Sequence, residues 1–315
     1  MTPGAGPYPA PVGRTARRLE WVHLPPPVRH LVERRCGSPV VEAVSQDSGF
    51  TPGFASVLTC EDGSTHFVKA ASVRAQRLFA DSYREEARKL RALPAGAPAP
   101  RLLWTHADDD WVLLGIEHLA ARHPFRPWTL ADLDACLDGL ERTAAALTPV
   151  PEGLELDLLV EDLADWPALW ESVPLASRRE RRREATDLAG SFLDHGRGDT
   201  VVHTDVRDDN ILLDDACAAW FCDWNWPSRG PAWFDSLMVL IGPRGDGLDV
   251  EAVLAERHLL RDVPPDAVDS ALAVLAGYFL HSADQPAPPS SPHLRDHQRW
   301  QGEVLWEWLA ERRGW

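Results

Sequence analysis

The chain has 315 residues, 44% of them hydrophobic and 25% charged, which is long enough to bury a full core and excludes a disordered or fibrous class. A formal net charge of −16 argues against nucleic acid as a partner and suits a cationic ligand, because acidic clefts concentrate positive molecules. The five cysteines, Cys36, Cys60, Cys136, Cys217 and Cys222, form no C-x-x-C pair, which suggests neither a disulfide framework nor a zinc site and fits a reducing cytoplasm.

Residues 1–25 are rich in proline and glycine and read as a loose arm without an apolar run suited to a signal peptide. A short helix begins at Pro25. Three strands are expected at 40–45, 55–60 and 65–70, the last two joined as a hairpin by Glu61-Asp62-Gly63-Ser64. Between the first two lies S-G-F-T-P-G-F, where Ser48, Gly49 and Gly53 form a loop whose glycines let backbone amides approach a phosphate. Only Lys69 and Lys89 represent lysine among 32 basic residues, so Lys69, on the third strand, reads as a position that needs an ammonium.

A helix is expected over 73–93, ended by Pro94. Glu86 falls on its apolar stripe with Tyr83, Ala87, Leu90 and Leu93, and a carboxylate on a buried face needs a partner, for which Lys69 is the natural choice. Strands at 102–106 and 111–117 complete five. Helical pattern then dominates: Thr129 caps 130–147, and Ser177 opens an Arg-rich helix closing at Gly196. Between them, 151–174 is an irregular stretch carrying Asp162, Trp166 and Trp170, a candidate acceptor wall, with core packing of the two tryptophans the plainer alternative. The tail, 248–315, is helical with a Pro-Ser break at 286–292; Glu303 and Glu307 lie beside its last apolar stripe as candidate ammonium ligands or a solvated face. His293 and His297 read as surface residues without a metal. The best apolar run, 271–280, falls short of the ~20 residues that span a bilayer, which points to a cytoplasmic protein with no membrane partner.

The chemistry concentrates in residues 201–224, V-V-H-T-D-V-R-D-D-N-I-L-L-D-D-A-C-A-A-W-F-C-D-W. Short apolar runs at 200–202, 210–213 and 218–222 flank a polar loop and end on a carboxylate. Phosphoryl transfer needs positioning and charge neutralisation, and the residue types suit it: Asp205 to accept a hydroxyl proton, Asn210 and Asp223 as oxygen ligands for Mg²⁺ on a nucleotide.

The string H-x-D-x-x-x-x-N, a hairpin, and an apolar strand ending in Asp resembles the aminoglycoside phosphotransferase family of protein-kinase-like proteins. The resemblance implies an α+β, bilobal protein-kinase-like fold: a small N-terminal lobe with a five-stranded antiparallel sheet and one main helix, and a larger, mostly helical C-terminal lobe. The expected divisions are 1–37, 38–118 and 119–315. By the same resemblance, the 48–53 loop covers the nucleotide phosphates, Lys69 neutralises them, the backbone from Glu117 to Leu119 meets the adenine edge, His203 buttresses the loop, and Asp235 braces it from below. Arg207, where the family commonly has His, is a candidate cation for the transferring phosphoryl or a surface residue. Thr204 replaces the usual Gly, and Trp224-Asn225 replace Phe-Gly. Trp226 joins the candidate acceptor contacts.

The implied function is transfer of the γ-phosphoryl of ATP or GTP to an acceptor hydroxyl, with an antibiotic, aminoglycoside-like or nucleoside, as the favoured acceptor. Two other readings stay open: a metabolic kinase of a choline-, sugar- or homoserine-like alcohol, and a catalytically silent nucleotide-binding regulator. A monomer or homodimer is expected.

Overall fold

The computed structural model describes residues 18–46, 53–173 and 181–315. Helix α1 (Pro26–Cys36) has proline in its first turn and stops where Gly37 turns left-handed at φ 85°. Then come β1 (Val40–Ser45), β2 (Phe54–Cys60), β3 (Thr65–Ser72), α2 (Arg77–Ala92), β4 (Leu102–Ala107) and β5 (Trp111–Ile116). The five strands form one antiparallel sheet in the order β1-β2-β3-β5-β4.

Strand alternation divides this sheet into two faces. Phe54, Leu58, Val68, Ala70 and Leu113 pack against Val28 and Val32 of α1. Ala71, Val112 and Leu114 pack against Ala80, Tyr83 and Ala87 of α2. Lys69, paired across the ladder with Leu114, therefore points to the α2 side. Helix α2 starts later than the sequence pattern suggests because Ser72 closes a turn, its carbonyl accepting from the Gln76 N–H at 2.8 Å.

The second part is mostly helical: α3 (Leu130–Ala146), α4 (Leu159–Asp162), α5 (Arg182–His195), then β6 (Thr200–Val202), β7 (Ile211–Leu213), β8 (Ala219–Phe221) and β9 (Ser228–Gly230), followed by α6 (Phe234–Val239), α7 (Ile241–Gly245), α8 (Val250–Glu256), α9 (Pro265–Ala283) and α10 (Leu294–Arg313). The Thr129 hydroxyl caps α3, accepting from the Asp132 N–H at 3.1 Å. Ser177 lies outside the described residues, and α5 is described from Arg182. Strand β9, in a segment rich in proline and glycine, is not foreseen from sequence; it pairs with β6, as β8 pairs with β7.

Helix α9 is the axis of this core, apolar on nearly every side and packed against α5 and α10. Trp170 belongs to that core and not to an acceptor wall: it is fully buried, and its indole N–H donates to the Ala273 carbonyl of α9 at 3.0 Å. Gly277 makes the approach possible, since a Cβ there would sit 2.6 Å from the indole nitrogen. Trp166 stacks on Tyr278 with ring centroids 3.8 Å apart. Glu303 is buried in α10 while Glu307 is exposed, so the two do not share one binding face. His297 is likewise buried, not a surface residue. Burial, with Arg207 and Arg126 adding to it, pushes its imidazole down to about 3, so the ring is neutral. Among the described residues, no helix is long and apolar enough to cross a membrane.

Candidate active site

The cleft between the two parts is lined above by Ala55 and Val57 of β2, Phe67 and Lys69 of β3 and Ile116 of β5. From below it is lined by Asn210, Leu212, Cys222 and Asp223. Apolar side chains thus face one another across a flat space, with charge gathered at one end.

Lys69 Nζ donates to both carboxylate oxygens of Glu86, at 2.7 and 3.0 Å, and also to Asp223. Lys69 and Glu86 are both buried, so each needs the other. Burial opposes the charge on Lys69, yet the carboxylates of Asp223 and Glu86 outweigh it and hold the ammonium above the ordinary lysine range. The same cation holds the Asp223 carboxyl below its ordinary value, against its burial. Asp223 stands at φ 64°, a left-handed conformation that turns its carboxylate back into the cleft.

The loop from β6 to β7 is built on Asp235, which lies in the first turn of α6 and is buried. Its carboxylate accepts from the backbone N–H of His203 at 2.6 Å and of Thr204 at 3.0 Å. Thr204 occupies a left-handed backbone position, φ 65°, and its hydroxyl donates to the Trp226 carbonyl at 2.7 Å. These two bonds offset the strain that glycine would avoid. The His203 ring is buried; Nε2–H donates to the Cys222 carbonyl at 2.7 Å, which leaves Nδ1 to accept from the Asp205 N–H at 3.3 Å. With both nitrogens engaged, the His203 ring ties the loop to the Cys222 backbone.

Asn210 Nδ2 donates to the Asp205 carbonyl and to its carboxylate, each at 2.9 Å. Its donors spent, Asn210 has Oδ1 left as an acceptor. With Asp223 this makes an all-oxygen donor pair, the set that Mg²⁺ favours. Arg207 folds back: its Nε lies 3.0 Å from Asp209 and 3.4 Å from Asp205, and it lines a separate pocket with His297 and Trp300. Burial pushes the Asp209 carboxyl up to about 6, against the pull of Arg207.

Glu117 and Leu119 line the cleft. The Glu117 N–H donates to the Arg101 carbonyl at 2.8 Å, and its side chain pairs with Arg101, so its N–H and carboxylate are both engaged. Gly53 is buried at φ 141° against Tyr83, whereas Ser48 and Gly49 lie outside the described residues. Asp162 accepts from the Ser228 hydroxyl at 2.5 Å, and Trp226 is 66% exposed, which places both beside the β6–β9 pair. Glu303, Glu307 and Trp170 do not line the cleft.

No family model matches the chain, and no curated protein matches it. Solved structures do. Choline kinase LicA from Streptococcus pneumoniae superposes with a TM-score of 0.60 at 13% identity, over 88% of this chain and 97% of its own. LicA in complex with AMP gives 0.52 at 14% identity, over 90% and 98%. A choline/ethanolamine kinase family protein from Mesorhizobium loti gives 0.51 at 15%, over 90% and 99%. An aminoglycoside phosphotransferase from Streptomyces rimosus aligns at 0.48 and 17% identity, over 86% and 96%. The first three carry the comparison, and at such identities it speaks for the fold.

The fold is protein-kinase-like. Within it, sequence reasoning misses three contributors to the cleft. Lys89 donates to the Asn225 carbonyl at 2.6 Å and Ser82 to the Asn225 side chain at 3.0 Å, which ties α2 to the segment after Asp223. The scarcity of lysine is the signal that marks Lys89 as well as Lys69. Arg18, in an arm assigned no role, also lines the cleft. Nothing in its proline-rich surroundings marks it.

Proposed function

We propose that the chain is a Mg²⁺-dependent small-molecule O-phosphotransferase that moves the γ-phosphoryl of ATP or GTP to an alcohol. The observation that carries this reading is the convergence of Lys69, Glu86, Asn210 and Asp223 on one cleft, with Asp205 hydrogen-bonded to Asn210 at its edge, drawn from β3, α2 and the two loops around β7 and β8. A catalytically silent regulator would not need the base and both oxygen ligands together.

In this reading Asp205, one carboxylate oxygen held by Asn210, takes the proton of the acceptor hydroxyl as its oxygen attacks the γ-phosphorus. The bond from phosphorus to the β–γ bridging oxygen breaks, and the charge left on the nucleoside diphosphate rests against Lys69. Asn210 and Asp223 would hold Mg²⁺, which would supply charge neutralisation on the phosphates. Because Lys69 bonds Asp223 directly in this structure, nucleotide binding separates the two, leaving Lys69 to Glu86 and the phosphates.

The acceptor is a cationic alcohol. Aminoglycoside-like antibiotics fit this description, and so do choline-like amines, a second reading that the likeness to LicA and to the choline/ethanolamine kinase family protein favours. A panel of hydroxylated antibiotics and amino alcohols, incubated with Mg²⁺ and ATP or GTP, tests both by the mass of the product. An antibiotic product alone supports the resistance reading; a choline-like product alone overturns it in favour of the metabolic one.

A further inference from the structure

On the face of the sheet opposite Lys69, three soft or borderline metal ligands meet that sequence spacing gives no reason to group. Among the described residues, the ligand atoms of Cys36, Cys60 and His66 all lie within 4.8 Å of one another. They come from three elements. Cys36 is the last residue of α1, Cys60 the last of β2, and His66 the second of β3. His66 pairs across the ladder with Leu58, whose side chain packs beneath α1, so the imidazole shares that face.

The hairpin is rigid at this point. The Cys60 N–H donates to the Ser64 carbonyl and the Gly63 N–H to the Cys60 carbonyl, both at 2.9 Å, while the Glu61 N–H donates to the Pro39 carbonyl at 2.9 Å. The turn is thereby fastened to the connection that leaves α1. A second chain of bonds orients the imidazole. The Ser64 hydroxyl donates to Asp62 at 2.7 Å, so at 3.0 Å from His66 Nε2 it can only accept. His66 therefore carries its proton on Nε2, and Nδ1 holds a lone pair. That Nδ1 is shielded from solvent and has no hydrogen-bond partner. A buried, unpaired acceptor on a ring that sits with two sulfurs is costly unless something electrophilic meets it.

We propose that Cys36, Cys60 and His66 bind one Zn²⁺ ion, with water as the fourth ligand. Two thiolates and one imidazole are a zinc donor set, and tetrahedral bonds of about 2.3 Å to sulfur place two sulfurs roughly 3.8 Å apart, within the observed spread. The carboxylate–hydroxyl–imidazole chain from Asp62 through Ser64 to Nε2–H is the outer-shell arrangement that fixes a metal-bound histidine. On binding, each thiol gives its proton to solvent and its sulfur bonds the ion, with no change of oxidation state. The ion fastens the end of α1 to the β2–β3 hairpin.

The test uses the reduced, chelator-stripped full chain, dialysed against Zn²⁺ and analysed for metal, with Co²⁺ as a spectroscopic probe. One zinc per chain and a thiolate-to-cobalt charge-transfer band are expected, both lost in Cys36→Ser and His66→Gln and both kept in Cys217→Ser, whose thiol is exposed elsewhere. Ser64→Ala, which leaves all three ligands, should weaken zinc binding by about 10- to 100-fold. Three results would overturn the proposal: no stoichiometric zinc in a wild-type chain whose circular dichroism is native, full zinc content in Cys36→Ser, or a native Cys36–Cys60 disulfide that takes up no metal. None of these depends on phosphotransfer.

Discussion

Lys69 and Glu86 form a buried pair that the sequence makes legible, because Glu86 falls on the apolar stripe of α2 and an unpaired carboxylate there would be costly. Removing one partner exposes that cost. Lys69→Met should destabilise the fold by about 3–5 kcal/mol, and Lys69→Met/Glu86→Gln should recover part of it, as read by urea unfolding. Asp235 acts one step further from the chemistry, through the His203 and Thr204 amides. Asp235→Asn should lower kcat by about a hundredfold while the nucleotide KM stays within about twofold, because the loop shifts but the cleft does not. An unchanged kcat would remove Asp235 from the positioning machinery. Other residues are not legible in the same way. Cys36, Cys60 and His66 belong to three elements with no spacing signature, and the burial of His297 depends on how α10 crosses the loop that carries Arg207.

At the scale of elements, the segment after β5 is held to α3 by Arg122, whose guanidinium meets both Asp132 oxygens at 2.7 and 3.0 Å and whose backbone pairs with Leu213. Arg122 holds the buried Asp132 carboxyl below its ordinary value of 3.8. A depressed carboxylate adds stability above the unfolded value and loses it as pH falls through the folded one. Asp132→Asn should therefore cost about 2 kcal/mol at pH 7, and the gap to wild type should close as the pH falls below about 4, followed by thermal melting. Trp170 distinguishes core from acceptor wall. Trp170→Ala should destabilise by about 3–5 kcal/mol with the acceptor KM unchanged. Gly277→Ala, which would drive a methyl into the same indole, should destabilise in the same direction. The element pattern itself is readable from periodicity and turn residues, as for β1 to β5. Strand β9 is not, because its proline- and glycine-rich sequence takes up extended structure only against β6.

For the molecule as a whole, the kinase-like arrangement follows from one sheet with Lys69 on its inner face and one loop fastened to Asp235. These features are local enough to leave a trace in the chain. The contact between Asp162 and Ser228 leaves none, because it joins segments 66 residues apart in the chain. With a net charge of −16, the KM for the proposed cationic acceptor should rise with ionic strength, and a level KM would count against a cationic acceptor. The most direct test of the account is intact-mass detection of a phosphorylated acceptor, formed with Mg²⁺ and ATP or GTP by the wild-type chain and by Asp205→Asn. The account predicts a product heavier by one phosphoryl group with wild type and a loss of at least about a hundredfold in the variant, with nucleotide binding retained. Equal product from both proteins, or no nucleotide binding by wild type, would contradict it.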